Sequence, residues 1–169
     1  MGKSFVPLQS EMDEKIGIQT RDADGRRQVF DPVRRRWVTL TPEEWVRQHT
    51  IALLHNSYGF PLEVMQVEGT IALNDMVRRC DIVVYDNNGT PWMIVECKKE
   101  GVALTQKVCD QACRYNTVLR VPLLLLTNGR QVIVLRCGGS CSGLSPLGEI
   151  PHWQKKMLKS EPPTAPRRH

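Results

Sequence analysis

The chain has 169 residues, enough for one domain with a substantial core, and its 41% hydrophobic and 24% charged content is that of an ordinary soluble globular protein. Its longest apolar run, Val121-Pro122-Leu123-Leu124-Leu125-Leu126, is far too short to span a bilayer, and the segment M-G-K-S-F-V-P-L-Q-S-E-M-D-E-K has no apolar signal region, so a cytoplasmic protein with no membrane partner is expected. A net charge of +5 and a pI of about 9.0 permit nucleic-acid binding without requiring it. Arg34-Arg35-Arg36 reads as solvated charge, whereas Arg78-Arg79 and Lys98-Lys99 flank the acids Asp81 and Glu96.

Residues 1–30 are polar and lack periodicity, which predicts a mobile N-terminal segment with a turn at Asp22-Ala23-Asp24-Gly25. The ordered domain is expected over 31–136. Thr41-Pro42-Glu43-Glu44 is a strong helix start: Thr41 caps, Pro42 suits the first helical position, and Glu44 completes a capping box. Trp45, His49, Ala52 and Leu53 then recur on one face, and Gly59 and Pro61 end the helix. His49 reads as a half-buried histidine, not a ligand. Residues 64–73 lean toward a strand. Residues 80–86 and 92–99 form a hairpin around Asn88-Gly89. A helix over 104–119 follows, then a buried strand over 121–126. Thr127-Asn128-Gly129-Arg130 signals a second hairpin with a strand over 131–136. Residues 137–169 read as an extension: a Gly-Ser loop, a short amphipathic helix over 152–159 and a disordered tail over 162–169. This order predicts an α/β layered domain with a mixed central sheet.

The six cysteines, in a chain with no secretion signal, do not suggest a disulfide framework. Cys80 and Cys97 fall within strands and read as small buried hydrophobes. Cys109, Cys113, Cys137 and Cys141 carry two C-x-x-x-C spacings, which leaves a thiolate metal site open as a minor alternative.

The charged residues inside the apolar hairpin carry the functional signal. With a two-residue turn at Asn88-Gly89, positions whose numbers sum to 177 face each other, so Asp81 lies opposite Glu96 and Lys98 shares their face. Two opposed carboxylates repel unless a cation or a shared proton sits between them, and a hard divalent metal answers that need. On the next helix, Val108, Ala112, Tyr115 and Leu119 make an apolar stripe on which Gln111 falls. Gln111 and Tyr115 are therefore expected to point toward Asp81, Glu96 and Lys98, with exposure at the stripe's edge as the alternative.

Asp81, fourteen residues, then Glu96-Cys97-Lys98 resembles the PD-(D/E)xK nuclease signature, and Gln111-Ala112-Cys113-Arg114-Tyr115 resembles the QxxxY motif of one branch of that superfamily. The segment from Trp37 to Gln48, with Val67-Glu68, Arg79 to Tyr85, Val95 to Lys98 and Leu126 to Gly129, is similar to the N-terminal nuclease domain of type I restriction enzyme R subunits (HsdR-type). The resemblance covers about residues 33–136. It implies a restriction-endonuclease-like α/β/α core with a mixed central sheet flanked by helices. It also implies Mg²⁺- or Mn²⁺-dependent DNA endonuclease activity. Asp81 and Glu96 would ligate the metal, with the Cys97 backbone carbonyl and Glu68 as further ligands. Lys98 would orient or activate water, and Gln111 and Tyr115 would support the site. DNA is the implied partner, with other restriction or repair subunits and a homodimer as further candidates.

Met76-Val77-Arg78-Arg79-Cys80 stands where the motif's proline would be, and no G-x-x-x-x-G-K-[ST] segment is present, so ATP-driven translocation is not expected of this chain. Two other readings stay open. One is a catalytically silent nucleic-acid-binding or assembly module on the same fold. The other is a purely structural ion-paired trio of Asp81, Glu96 and Lys98.

Overall fold

A computed structural model describes residues 17–73, 75–138 and 144–154. Residues 1–16 of the expected mobile segment, Cys141, residues 155–159 of the helix expected over 152–159 and the expected tail lie outside them, and residues 152–154 are not helical. The chain opens with an antiparallel sheet of β1 (Thr20–Ala23), β2 (Arg26–Asp31) and β3 (Arg36–Thr39). The expected turn is there, with Asp24 and Gly25 both at positive φ between β1 and β2. The strands around it differ from the mobile segment expected up to residue 30. They were hidden because β1 is almost wholly exposed and carries no apolar alternation.

Helix α1 (Pro42–Asn56) starts where its cap predicts, and the Thr41 hydroxyl accepts from the Glu44 amide at 3.0 Å. The burial is not one-sided. Val46, Arg47, Gln48, His49, Thr50 and Ile51 are all buried, because α1 is covered by the central sheet and also bonded through Gln48 to Asp31 of β2. His49 donates from Nδ1 to the Trp45 carbonyl, as a structural histidine does.

A 3-10 turn (Leu62–Val64) leads to β4 (Met65–Val67), β5 (Thr70–Leu73), β6 (Met76–Arg79), β7 (Ile82–Tyr85) and β8 (Pro91–Cys97). The single strand expected over 64–73 is therefore broken at Glu68, whose φ is +53°. Pairs Val67↔Ile82 and Thr70↔Arg79 keep one register across that break, so β4–β5 and β6–β7 form one long bent hairpin. After α2 (Gln106–Leu119) come β9 (Leu123–Thr127), β10 (Val132–Cys137) and β11 (Leu144–Leu147).

The central sheet runs β11-β10-β9-β8-β7-β4, with β8 and β9 parallel and the other neighbours antiparallel. The parallel pair follows from α2, the crossover between them. Alternation along β8 splits the core. Met93, Val95 and Cys97 pack with Val46, Ile51 and Leu54 of α1, while Ile94 packs with Cys109, Ala112 and Cys113 of α2. The helices thus lie on opposite faces, giving the α/β/α architecture with a mixed central sheet that the sequence implies. Gly129 sits at φ +85° in the β9–β10 turn, where a Cβ would come 3.2 Å from Val46, so α1 approaches this turn closely. The extension is integrated with the core. β11 pairs with β10, Ile150 is 3% exposed, and the Trp153 amide donates to the Tyr58 carbonyl at 2.8 Å. Among the described residues no helix is long and apolar enough to cross a membrane.

Candidate active site

The expected hairpin register holds. Ile82↔Val95, Val83↔Ile94 and Val84↔Met93 are paired, which extends to Asp81 opposite Glu96. The turn is longer than two residues. The Asp86 side chain accepts from the Asn88 and Thr90 amides, and a bulge at Val84/Tyr85 absorbs the extra length. On the other side of β7 the Glu68 amide donates to the Asp81 carbonyl at 2.8 Å. Glu68, Asp81 and Glu96 therefore form one row across three adjacent strands, at the bend where β6 gives way to β7.

Each carboxylate of the row is engaged by arginine. Asp81 accepts from Arg47 of α1 at 2.8 Å through one oxygen and from the Cys97 amide at 2.7 Å through the other. Glu96 accepts from Arg78 of β6 at 2.5 Å. Glu68 pairs with Arg79 at 2.6 Å and with Arg34 at 3.1 Å. The opposed acids Asp81 and Glu96 thus relieve their repulsion through separate guanidinium groups. Among the described residues, no three His, Cys, Asp or Glu side chains converge as a ready-made metal cage.

The network extends to residues the motif reading did not include. Glu44 accepts from Arg34 at 2.6 Å, from Gln48 at 2.9 Å and from Arg47. Its carboxylate therefore does not close the expected capping box. Asp31, fully buried, accepts from Arg34 Nε at 2.6 Å and Gln48 at 2.9 Å, and its other oxygen takes the Val33 and Arg34 amides. Arg34 is therefore a half-buried bridge among Asp31, Glu44 and Glu68, not the solvated charge expected, while Arg35 and Arg36 are exposed. The signal for α1 was present in the Glu44, Arg47, Gln48 spacing, which places three polar groups on adjoining turns.

Electrostatics distinguish the acids. Burial raises the Glu96 pKa. The Asp81 charge adds to that rise, and Arg78 and Lys98 only partly offset it. Glu68 moves the other way, because the bonds and charges of Arg79 and Arg34 outweigh its burial. Arg47 is buried, but Asp81 and Glu44 hold its pKa above the ordinary arginine value. Complete burial raises the Cys97 thiol well above its ordinary value, as suits a core cysteine.

Lys98 is half-buried, its amide donates to the Thr127 carbonyl at 2.8 Å, and its charge reaches Glu96. Among the described residues its ammonium forms no ion pair, unlike Arg34, Arg47, Arg78 and Arg79. Gln111 is exposed, and among the described side chains of α2 the buried ones are Cys109, Ala112, Cys113 and Asn116. Its amide makes no hydrogen bond to Asp81, Glu96 or Lys98, so the inward glutamine expected is replaced by its alternative at the stripe's edge. Tyr115 lies one turn further along the α2 backbone. Asn116, which the stripe reading missed, bonds both backbone groups of Val121 and so fixes the exit from α2. Cys113 lies near Cys109 and Cys137, and burial together with these thiols raises it to about 11, away from thiolate character.

The fold is a restriction-endonuclease-like α/β/α domain, with an acidic row at one end of its mixed sheet and a lysine two residues after the last acid. A family model described as "Type I restriction enzyme R protein N terminus (HSDR_N)" matches residues 42–151, more than half of the chain, and the chain belongs to that family. A solved structure described as a "putative nuclease belonging to DUF820" from Anabaena variabilis ATCC 29413 is similar at 13% identity and a TM-score of 0.43, covering 77% of this chain and 76% of that one. No curated protein sequence matches at a significant level.

The three carboxylates of the row are oxygen donors of the kind a hard divalent cation takes, and in this arrangement each is engaged by an arginine.

Proposed function

We propose that this domain is a divalent-metal-dependent nuclease that hydrolyses phosphodiester bonds of DNA. The observation that carries the reading is the row of Glu68 and Asp81, next to the ends of β4 and β7, and Glu96 on β8, with Lys98 beside it as a cation without an ion-pair partner among the described residues.

Asp81 and Glu96 would hold Mg²⁺ or Mn²⁺, with Glu68 and the Cys97 carbonyl as further oxygen donors. When bound there, such a cation would supply Lewis acidity at the phosphate and lower the pKa of a water it holds. Lys98 orients the attacking water and offsets charge developing on the phosphate oxygens. Arg47 and the Cys97 amide fix the Asp81 carboxylate from two sides, which limits its rotamers before any substrate arrives. Gln111 and Tyr115 would contact the nucleic-acid backbone from α2.

The test is cleavage of linear, circular and single-stranded DNA with Mg²⁺ or Mn²⁺. Cleavage that disappears in Glu96→Ala supports the reading. No cleavage with either ion, or cleavage that survives the substitution, overturns it.

A second reading, a nucleic-acid-binding module without catalysis, is favoured by the arginines on Asp81 and Glu96. Calorimetry with Mn²⁺ separates the two. Metal uptake lost in Asp81→Asn favours the nuclease, and absence of uptake favours the module.

A further inference from the structure

The β1–β3 sheet has two unlike faces. Val29 and Asp31 point inward and are fully buried, and the inner face leads into the arginine–carboxylate network. Gln28 and Phe30 point outward by alternation. The register places Arg21, Gln28 and Thr39 in one row and Phe30 beside Trp37 in another. Arg26, two residues before Gln28, shares this face. Its strand residues include two arginines and no acid, whereas Asp22 and Asp31 lie on the inner side.

The outer residues hold one another in place. Arg21 Nε donates to Gln28 at 2.8 Å, and its guanidinium carbon lies 4.3 Å from the Trp37 ring centroid. Trp37 meets Phe30 edge to face, with centroids 5.5 Å apart. Arg21 thus sits over an indole that itself meets Phe30, and the arginine is exposed. Its terminal nitrogens make no hydrogen bond among the described residues, which leaves them for an anion.

We infer that this outer face binds single-stranded nucleic acid, with an unpaired base stacked on the Arg21–Trp37 layer and phosphates held by Arg21 and Arg26. Flat cationic and aromatic groups together suit a polyanion that also presents π-faces. Duplex DNA keeps its base faces stacked inside and offers only phosphates. An anionic lipid surface offers charge without rings. The inference rests on the proposed function only for choosing nucleic acid among polyanions, and it adds a place for an unpaired strand away from the acidic row.

The experiment is fluorescence anisotropy on the full chain in excess EDTA, with labelled oligothymidylate, oligouridylate and a duplex of equal length, and with phosphatidylserine vesicles as competitor. Single strands bind more tightly than duplex, and the two oligomers show whether the face prefers DNA or RNA. Arg21→Ala and Trp37→Ala each weaken binding about tenfold, Trp37→Phe recovers most of the loss, and Arg26→Ala reduces the slope of log affinity against log salt by about one. Arg136→Ala, which removes an exposed arginine from β10, changes nothing. Wild-type affinity in Arg21→Ala, equal binding of duplex, or full displacement by vesicles overturns the inference. Arg21-dependent binding by a protein that cleaves nothing removes the proposed function alone. Cleavage without Arg21-dependent binding removes this inference alone.

Discussion

A terminal nitrogen of Arg78 lies 2.5 Å from a carboxylate oxygen of Glu96, so the last acid of the row is held by a cation from the bent β5–β6 hairpin. Both side chains are largely buried, at 15% and 13% exposure, so the pair is screened far less than a surface ion pair. A divalent cation taking Glu96 must compete with that guanidinium. Arg78→Ala is therefore expected to tighten Mn²⁺ binding about tenfold, the equivalent of one charge-assisted hydrogen bond of about 1.4 kcal/mol. Titration calorimetry reads this directly. Weaker binding in the variant would show that Arg78 positions Glu96 for the metal instead of competing with it.

Glu96 also gives a pH-dependent stability effect of definite sign. Its folded-state pKa is raised, chiefly by burial, with Asp81 adding to it. A raised carboxyl binds its proton more tightly when folded. Ionising it therefore costs stability, beginning as pH rises through the unfolded value and reaching its full extent above the folded one. Glu96→Gln should melt at higher temperature than the wild type at neutral pH. The two melting curves should converge as the pH falls to the ordinary glutamate value. A gain that grows on acidification would contradict the assignment.

Glu44 ties α1 to the β2–β3 turn and carries two arginines. Its side chain is 8% exposed, those of Arg34 and Arg47 are 13% and 6% exposed, and Arg47 Nε has no hydrogen-bond partner among the described residues. Removing the carboxylate leaves buried cations undercompensated, which typically costs about 3–5 kcal/mol. Glu44→Ala should show this loss in urea unfolding. Glu43→Ala, whose side chain is 52% exposed and 3.5 Å from Arg47, should lose less than about 1 kcal/mol.

What the sequence made legible follows from where its signals are local. The β7–β8 register could be read because three apolar pairs flank Asp81 and Glu96, and an inserted bulge left those pairs unchanged. The start of α1 could be read from the Thr41 side chain that caps it, whereas Thr105, which caps α2, was not read as a cap. The exposure of Gln111 could not be read because Cys109, Cys113 and Asn116 are buried on α2 among its described side chains, and a hydrophobic pattern gives asparagine no weight there. Arg34, Glu44 and Arg47 were invisible as a unit because polar residues read as surface until their partners are known. Some of those partners are distant in sequence, as with Arg47 and Asp81, which are 34 positions apart. β6 was missed for a related reason: Met76-Val77-Arg78-Arg79 is half basic, and its strand character comes from pairing with β5.

Lys98 is the residue through which the nuclease reading can be separated from a structural ion-paired site. Arg34, Arg47, Arg78 and Arg79 already pair with the network carboxylates, and Lys98 forms no ion pair among the described residues. A lysine needed only to neutralise Glu96 would reveal itself in stability, since its charge lowers the Glu96 pKa. A lysine that acts on water and phosphate contributes when charge develops in the reaction. Lys98→Met should therefore reduce the cleavage rate at saturating metal at least about a hundredfold, the usual scale for losing one electrostatic stabiliser. It should leave Mn²⁺ affinity within about threefold of wild type, because the carboxylate donors remain. Single-turnover cleavage and calorimetry on the same preparation check both parts. Equal losses of metal affinity and rate would place Lys98 in maintenance of the acidic row, and an unchanged rate would remove it from the chemistry.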